Sequence, residues 1–133
     1  MIRSTVARAL VTAVVLLAAT RTVANATMTL TTPFVDSAGS PALGDCVVTN
    51  ISASPVLVSS VQLFDGLGGA ITPDYDDCTQ GSPTLPAHSS CHVFKYSTPN
   101  VYCTAAASSA KIRVSLNLLD GGYNTIVTVP GTK

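Results

Sequence analysis

Glutamate and tryptophan are both missing from these 133 residues, and lysine occurs only as Lys95, Lys111 and Lys133. The chain therefore lacks much of the straight-chain polar content that favours helices, while its many Thr, Ser and Val suit pleated strands and turns. Cations are too sparse and too scattered to neutralise a run of phosphates by counterion release, which excludes a nucleic-acid partner. A basic face for an anionic membrane surface is missing for the same reason. The longest largely apolar run, Ala9 to Ala19, is 11 residues, well short of the roughly 20 that a spanning helix needs. Aromatic residues number four Tyr and three Phe. A core is expected to consume several of these, leaving no stacking platform for sugars.

What is present begins with an export signature. Arg3 and Arg8 precede the apolar run, and Ala24-Asn25-Ala26 is a small-x-small cleavage site, so residues 1–26 read as a secretory signal peptide. Cleavage leaves 27–133, one domain of β-sandwich size. Arg3, Arg8 and Arg21 depart with the signal, so Lys95, Lys111, Arg113 and Lys133 face seven Asp and the mature chain carries a charge of −3. Thr27 follows the cut where a lipid-modified chain would have Cys, and the C-terminal segment is no anchor tail. The reading is a protein secreted to a periplasm or the exterior, with no membrane insertion after signal cleavage. Cys46, Cys78, Cys91 and Cys103 form an even set in a short exported chain and read as two disulfides. Spacing alone leaves all three pairings open.

Strand patterns dominate the rest. Ile112, Val114, Leu116 and Leu118 alternate with Arg113, Ser115 and Asn117, a period of two with one buried face. Asp120-Gly121-Gly122 turns the chain into a return strand, Tyr123 to Val129, ended by Pro130, which makes a terminal hairpin. Cys46–Ile51 and Val56–Phe64 are expected to form a second pair across Ser52-Ala53-Ser54-Pro55. Within Val56–Phe64, Leu57, Val61 and Leu63 share one face and Val56, Val58 and Phe64 the other, which predicts a central strand apolar on both sides. Ala70–Thr72 reads as a short edge strand, residues 73–90 as a long irregular segment, and His92–Tyr96 and Val101–Ala105 as two more strands around Ser97 to Asn100. With Thr29–Phe34 this gives an all-β, Ig-like antiparallel β-sandwich of seven to eight strands, stapled by disulfides.

Cys46-Val-Val-Thr-Asn50, Pro55-Val-Leu-Val, Leu85-Pro-Ala-His-Ser-Ser-Cys91, Val101-Tyr-Cys103-Thr and Lys111-Ile-Arg113 together resemble a group of short exported bacterial proteins of unassigned function with an Ig-like or fibronectin-like sandwich. The resemblance spans most of residues 44–130 and implies a fold but no activity. It also implies Cys46 with Cys103 and Cys78 with Cys91. The competing pattern is Cys46 with Cys78 and Cys91 with Cys103.

Three constellations bear on chemistry. Cys78, His88, Cys91 and His92 offer nitrogen and sulfur ligands, but their spacing matches no paired metal motif and disulfide formation consumes half of them, so no metal or other cofactor is expected. Asp74, Asp76 and Asp77 lack the Gly and Glu of an EF-hand loop and read as a solvated acidic loop. Ser89 and Ser90 lie beside His88 and His92 in sequence only; no G-x-S-x-G elbow nominates a triad. Asn50-Ile51-Ser52 is a glycosylation sequon that reads as a turn-flanking Asn. The sequence thus predicts a monomeric, non-catalytic binding or structural protein with a protein or surface partner. Two alternatives are an inhibitor of a secreted enzyme that presents the 78–91 loop, and a fibre or adhesion subunit that donates Thr27–Phe34 to a neighbour's sheet.

Overall fold

The computed structural model describes residues 27–36, 42–98 and 100–132; the signal segment read at 1–26 lies outside the described residues. Among them there are eleven strands and no helix. In chain order these are β1 (Met28–Thr31), β2 (Val35–Asp36), β3 (Leu43–Asn50), β4 (Val56–Asp65), β5 (Ala70–Ile71), β6 (Tyr75–Asp76), β7 (Thr84–Leu85), β8 (Ser90–Lys95), β9 (Asn100–Ala107), β10 (Ile112–Leu119) and β11 (Thr125–Pro130). Seven of them have four residues or more, against the seven to eight strands that the sequence predicts. The other four are two-residue pairings, and β6 and β7 lie within the segment read as irregular.

Two antiparallel sheets face each other. One runs β1-β9-β4-β5, with β2 added on β9 and β7 on β4; the other runs β11-β10-β3-β8-β6. The terminal hairpin forms as expected, with Ser115 opposite Pro130 and Leu116 opposite Val129. Two other expected neighbours do not pair. Both edges of β3 are occupied, by β10 and β8, so β4 joins the opposite sheet and residues 51–55 arch over the end of the core. Likewise β8 lies between β3 and β6, and β9 between β1 and β4, so the chain changes sheets between them as well.

A bulge corrects the reading of β4. Val58 pairs with Ala107 and Ser60 with Ala106, which leaves Ser59 as an extra residue. An extra residue reverses the inward-outward alternation beyond it. Val56, Val58, Val61 and Leu63 therefore all point inward, and Leu57 faces solvent. Only one face of this strand is core.

Among the described residues the core holds Val, Leu, Ile, Ala and Cys side chains and no aromatic ring. Along β9 the inward residues are Val101, Cys103, Ala105 and Ala107, all fully buried. Of the pairings open to the sequence, the structure forms Cys46–Cys103 and Cys78–Cys91. The first joins β3 to β9 across the middle of the sandwich, with Cα atoms 6.1 Å apart. The second closes a short loop over one sheet edge.

The sequence separations of the bonded pairs are 57 and 13. On chain entropy the two bonds restrict the unfolded chain by about 4 and about 3 kcal/mol respectively. Urea denaturation should therefore rank the double variant Cys46→Ala/Cys103→Ala below Cys78→Ala/Cys91→Ala. The reverse order would show that the inter-sheet bond is not the stronger staple.

Candidate functional site

With inward positions taken by small side chains, the rings sit outside. In β8, Cys91 and Val93 point inward, so Phe94 points outward, and Tyr96 follows just beyond the strand. The register sets Tyr75 of β6 opposite Phe94. Their rings stack with centroids 4.9 Å apart, and Phe94 meets the edge of Tyr96 at 5.4 Å. Tyr123, in the turn between β10 and β11, lines one cavity together with Tyr96. Tyr75 and Tyr96 are each 46% exposed and Tyr123 is 65% exposed, so the group is a surface rather than a buried cluster. The expectation that the core consumes the aromatics is thus overturned. The signal was present in Cys91-His-Val-Phe-Lys-Tyr96, because burying Cys91 and Val93 forces Phe94 out.

Polar groups frame this face. Asp74 Oδ1 accepts from Lys95 Nζ at 2.6 Å and Oδ2 from the Tyr96 backbone N–H at 2.9 Å. These bonds hold the Asp74 carboxyl below the usual carboxylate range, Lys95 contributing most. Asp120 Oδ1 accepts from the backbone N–H groups of Gly122 and Asn124, at 2.8 and 2.9 Å, and both its oxygens accept from the Asn124 side-chain amide. That turn lowers the Asp120 carboxyl as well, the Asn124 N–H being the main cause. The neighbouring Tyr123 raises the phenol of Tyr96, and the Asp77 charge raises that of Tyr75. Leu43, Tyr96, Ser97, Asp120, Gly121 and Tyr123 line a cavity of about 280 Å³ at this end of the sheet.

The opposite sheet carries a smaller aromatic group. Phe64 and Tyr102 stack with centroids 5.0 Å apart. Nearby, Phe34 lies so close to Gly66 that a Cβ there would come within 2.8 Å of its ring.

The residues singled out in the sequence are distributed differently. The sulfurs of Cys78 and Cys91 are bonded to each other, so no thiolate is left to bind a metal beside the nearby Asp77. His92 Nδ1 lies 3.2 Å from both carboxylate oxygens of Asp45 on the neighbouring strand. His88 occupies an exposed turn with φ of 55°. Ser89 Oγ donates to the Pro86 carbonyl, and Ser90 Oγ pairs with Thr49. Among the described residues, no serine hydroxyl is bonded to a histidine ring.

The acidic loop is more ordered than a solvated loop. Asp76 accepts from the Cys78 and Thr79 N–H groups and the Thr79 hydroxyl. Asp77 accepts from the His92 N–H and the Tyr75 hydroxyl. With Asp74 bound to Lys95 and Tyr96, the three carboxylates serve three separate local networks.

Asn50 is fully buried, and its amide nitrogen donates to the carbonyls of Ser54, Leu85 and Pro86. Its Oδ1 accepts from the N–H and hydroxyl of Ser52. The sequon side chain is thus a structural tie, inaccessible to glycosylation in the folded chain. It also binds the 78–91 segment to the sandwich, where Leu85 pairs with Val56.

Comparison with protein-family models, with curated proteins and with solved structures found no match to this chain.

Both framing carboxylates have folded-state pKa values below their ordinary value of 3.8. A lowered carboxylate contributes stability that is present above the unfolded value and lost as pH falls through the folded one. The double variant Asp74→Asn/Asp120→Asn should therefore lose less stability than the parent between about pH 6 and about pH 2. Urea denaturation across that range checks the difference in slope. Equal slopes would mean that neither carboxylate is linked to folding.

Proposed function

We propose that this chain is an exported, non-catalytic binding module that engages its partner outside the cytoplasm through Tyr75, Phe94, Tyr96 and Tyr123. The observation that carries this reading is the placement of the rings. A small domain gains stability by burying rings, since each removes a large apolar area from water. Here the described core contains none, and four rings form one partly exposed group on the second sheet. Tyrosine supplies broad, rigid contact area at low entropic cost, which is why it dominates many recognition surfaces.

Two buried disulfides fit an oxidising, non-cytoplasmic compartment. The N-terminal export signature and the resemblance to short exported bacterial proteins support the same setting. Geometry favours this face over the 78–91 segment as the presenting surface, because Asn50, β7 and Cys78–Cys91 tie that segment down. As for strand donation, β1 pairs with β9 of its own chain, Met28 opposite Ala107.

Binding to an immobilised panel of glycans, peptides and amines tests the reading. The parent protein should retain at least one ligand class that Tyr75→Ser/Tyr96→Ser/Tyr123→Ser loses. No retained class, equal retention by the variant, or turnover of a substrate in a hydrolase panel would overturn it.

A further inference from the structure

The cavity beside Tyr96 and Tyr123 has a distinct electrostatic character. Lys95, the cation nearest in sequence, is committed to Asp74 at 2.6 Å. Lys111 and Arg113 belong to the other end of the sandwich, since β10 begins opposite Asn50 and ends opposite Leu43. Asp120, by contrast, accepts only from neutral N–H groups of its own turn. Among the described residues it makes no ion pair. A carboxylate that forms no ion pair among the described residues thus shares a small cavity with two phenol rings.

The backbone there is unusual too. Ser97 and Tyr123 have φ of 58° and 62°, in the left-handed region that side chains other than Gly rarely adopt. Both line this cavity. The surrounding turns hold a bulky ring against the local preference of its backbone, with the Tyr123 N–H donating to the Asp120 carbonyl.

Resting on the reading of the aromatic face as a binding surface, we propose that the Tyr96–Tyr123–Asp120 cavity receives an organic cation, specifically an alkylated ammonium head group. Phenol rings attract cations through the negative potential of their faces, and a carboxylate adds direct charge complementarity. A volume of about 280 Å³ suits one head group rather than an extended chain. The head group has two sources, a free amine or an alkylated lysine on a protein, and recognition is the same for both.

The test is a titration of the full mature chain followed by backbone amide NMR shifts at fixed ionic strength. The probes are tetramethylammonium chloride, its neutral isostere tert-butanol, and a tetrapeptide that carries trimethyllysine. Tetramethylammonium should give saturable shifts at Leu43, Ser97, Gly121 and Tyr123, with tert-butanol and equivalent NaCl giving none there. Asp120→Asn keeps an oxygen for the turn N–H groups, and Tyr96→Leu keeps apolar bulk. Each should weaken the response by about three- to fivefold.

A peptide affinity more than about tenfold above that of tetramethylammonium supports the proposal with a protein-borne cation. Similar affinities support it with a free amine. Equal responses to tetramethylammonium and tert-butanol, or no localised response, overturn it. If the panel still finds a ligand lost on removing the tyrosines, the cation fails and the binding face stands. Silence in both experiments removes both.

Discussion

The Cys46–Cys103 bond crosses the centre of a core whose side chains are no larger than Leu or Ile, and the rest of the structure follows from that closeness. Both sulfurs are completely buried, and around them Val48, Val93, Ala105, Ala107 and Leu116 fill the space between the sheets. Facing sheets pack about 10 Å apart, and the filling of that gap decides which side chains fit. Small inward residues give less apolar burial than aromatic ones, which makes covalent staples more valuable in a domain of this size. The same economy inside leaves the phenols and phenyl rings for the surface.

A second constraint holds the ends of the sandwich together. Asn50 ends β3 inside the protein, where an unpaired amide would be costly, yet every polar group it carries is satisfied. Its five bonds join the 51–55 arch to the carbonyls of Leu85 and Pro86. One side chain thereby fixes both the change of sheet after β3 and the path of the proline-bearing segment. Cys78–Cys91 anchors the other end of that segment, so the long proline-bearing loop is held against the body. At the far end of the second sheet the tyrosines occupy the surface, framed by the Asp74–Lys95 pair and the Asp120 turn.

Much of the fold is legible in the sequence where local pattern and tertiary role agree. Ile112, Val114, Leu116 and Leu118 alternate without interruption and are all buried, and Asp120-Gly121-Gly122 supplies the turn that follows them. Where one residue breaks the count, pattern misleads. Ser59 inserts a bulge that no residue type announces, so β4 looks apolar on both faces although Val56, Val58, Val61 and Leu63 share one. Short connections also look alike whether they close a hairpin or cross between sheets. Only the occupied edges of β3 and β8 decide that. The aromatic face was hidden by a composition argument, since rings are usually expected inside. Reading β8 outward from buried Cys91 and Val93 reveals Phe94, but Tyr75 joins it only through the pairing of β6 with β8, and Tyr123 only through the fold of the terminal hairpin.

Among the described residues the core is thus sealed by aliphatic and cysteine side chains, and the stacked rings lie outside it. The most direct measure of that division is the stability of two variants by urea denaturation, one without the exposed rings and one with a single core cavity. Tyr75→Ser/Tyr96→Ser/Tyr123→Ser should cost about 1–2 kcal/mol in total, since partly exposed stacking is all that is lost. Leu116→Ala, at a fully buried position, should alone cost about 2–5 kcal/mol. A triple variant that fails to fold while Leu116→Ala remains stable would place the rings in the core and contradict the account.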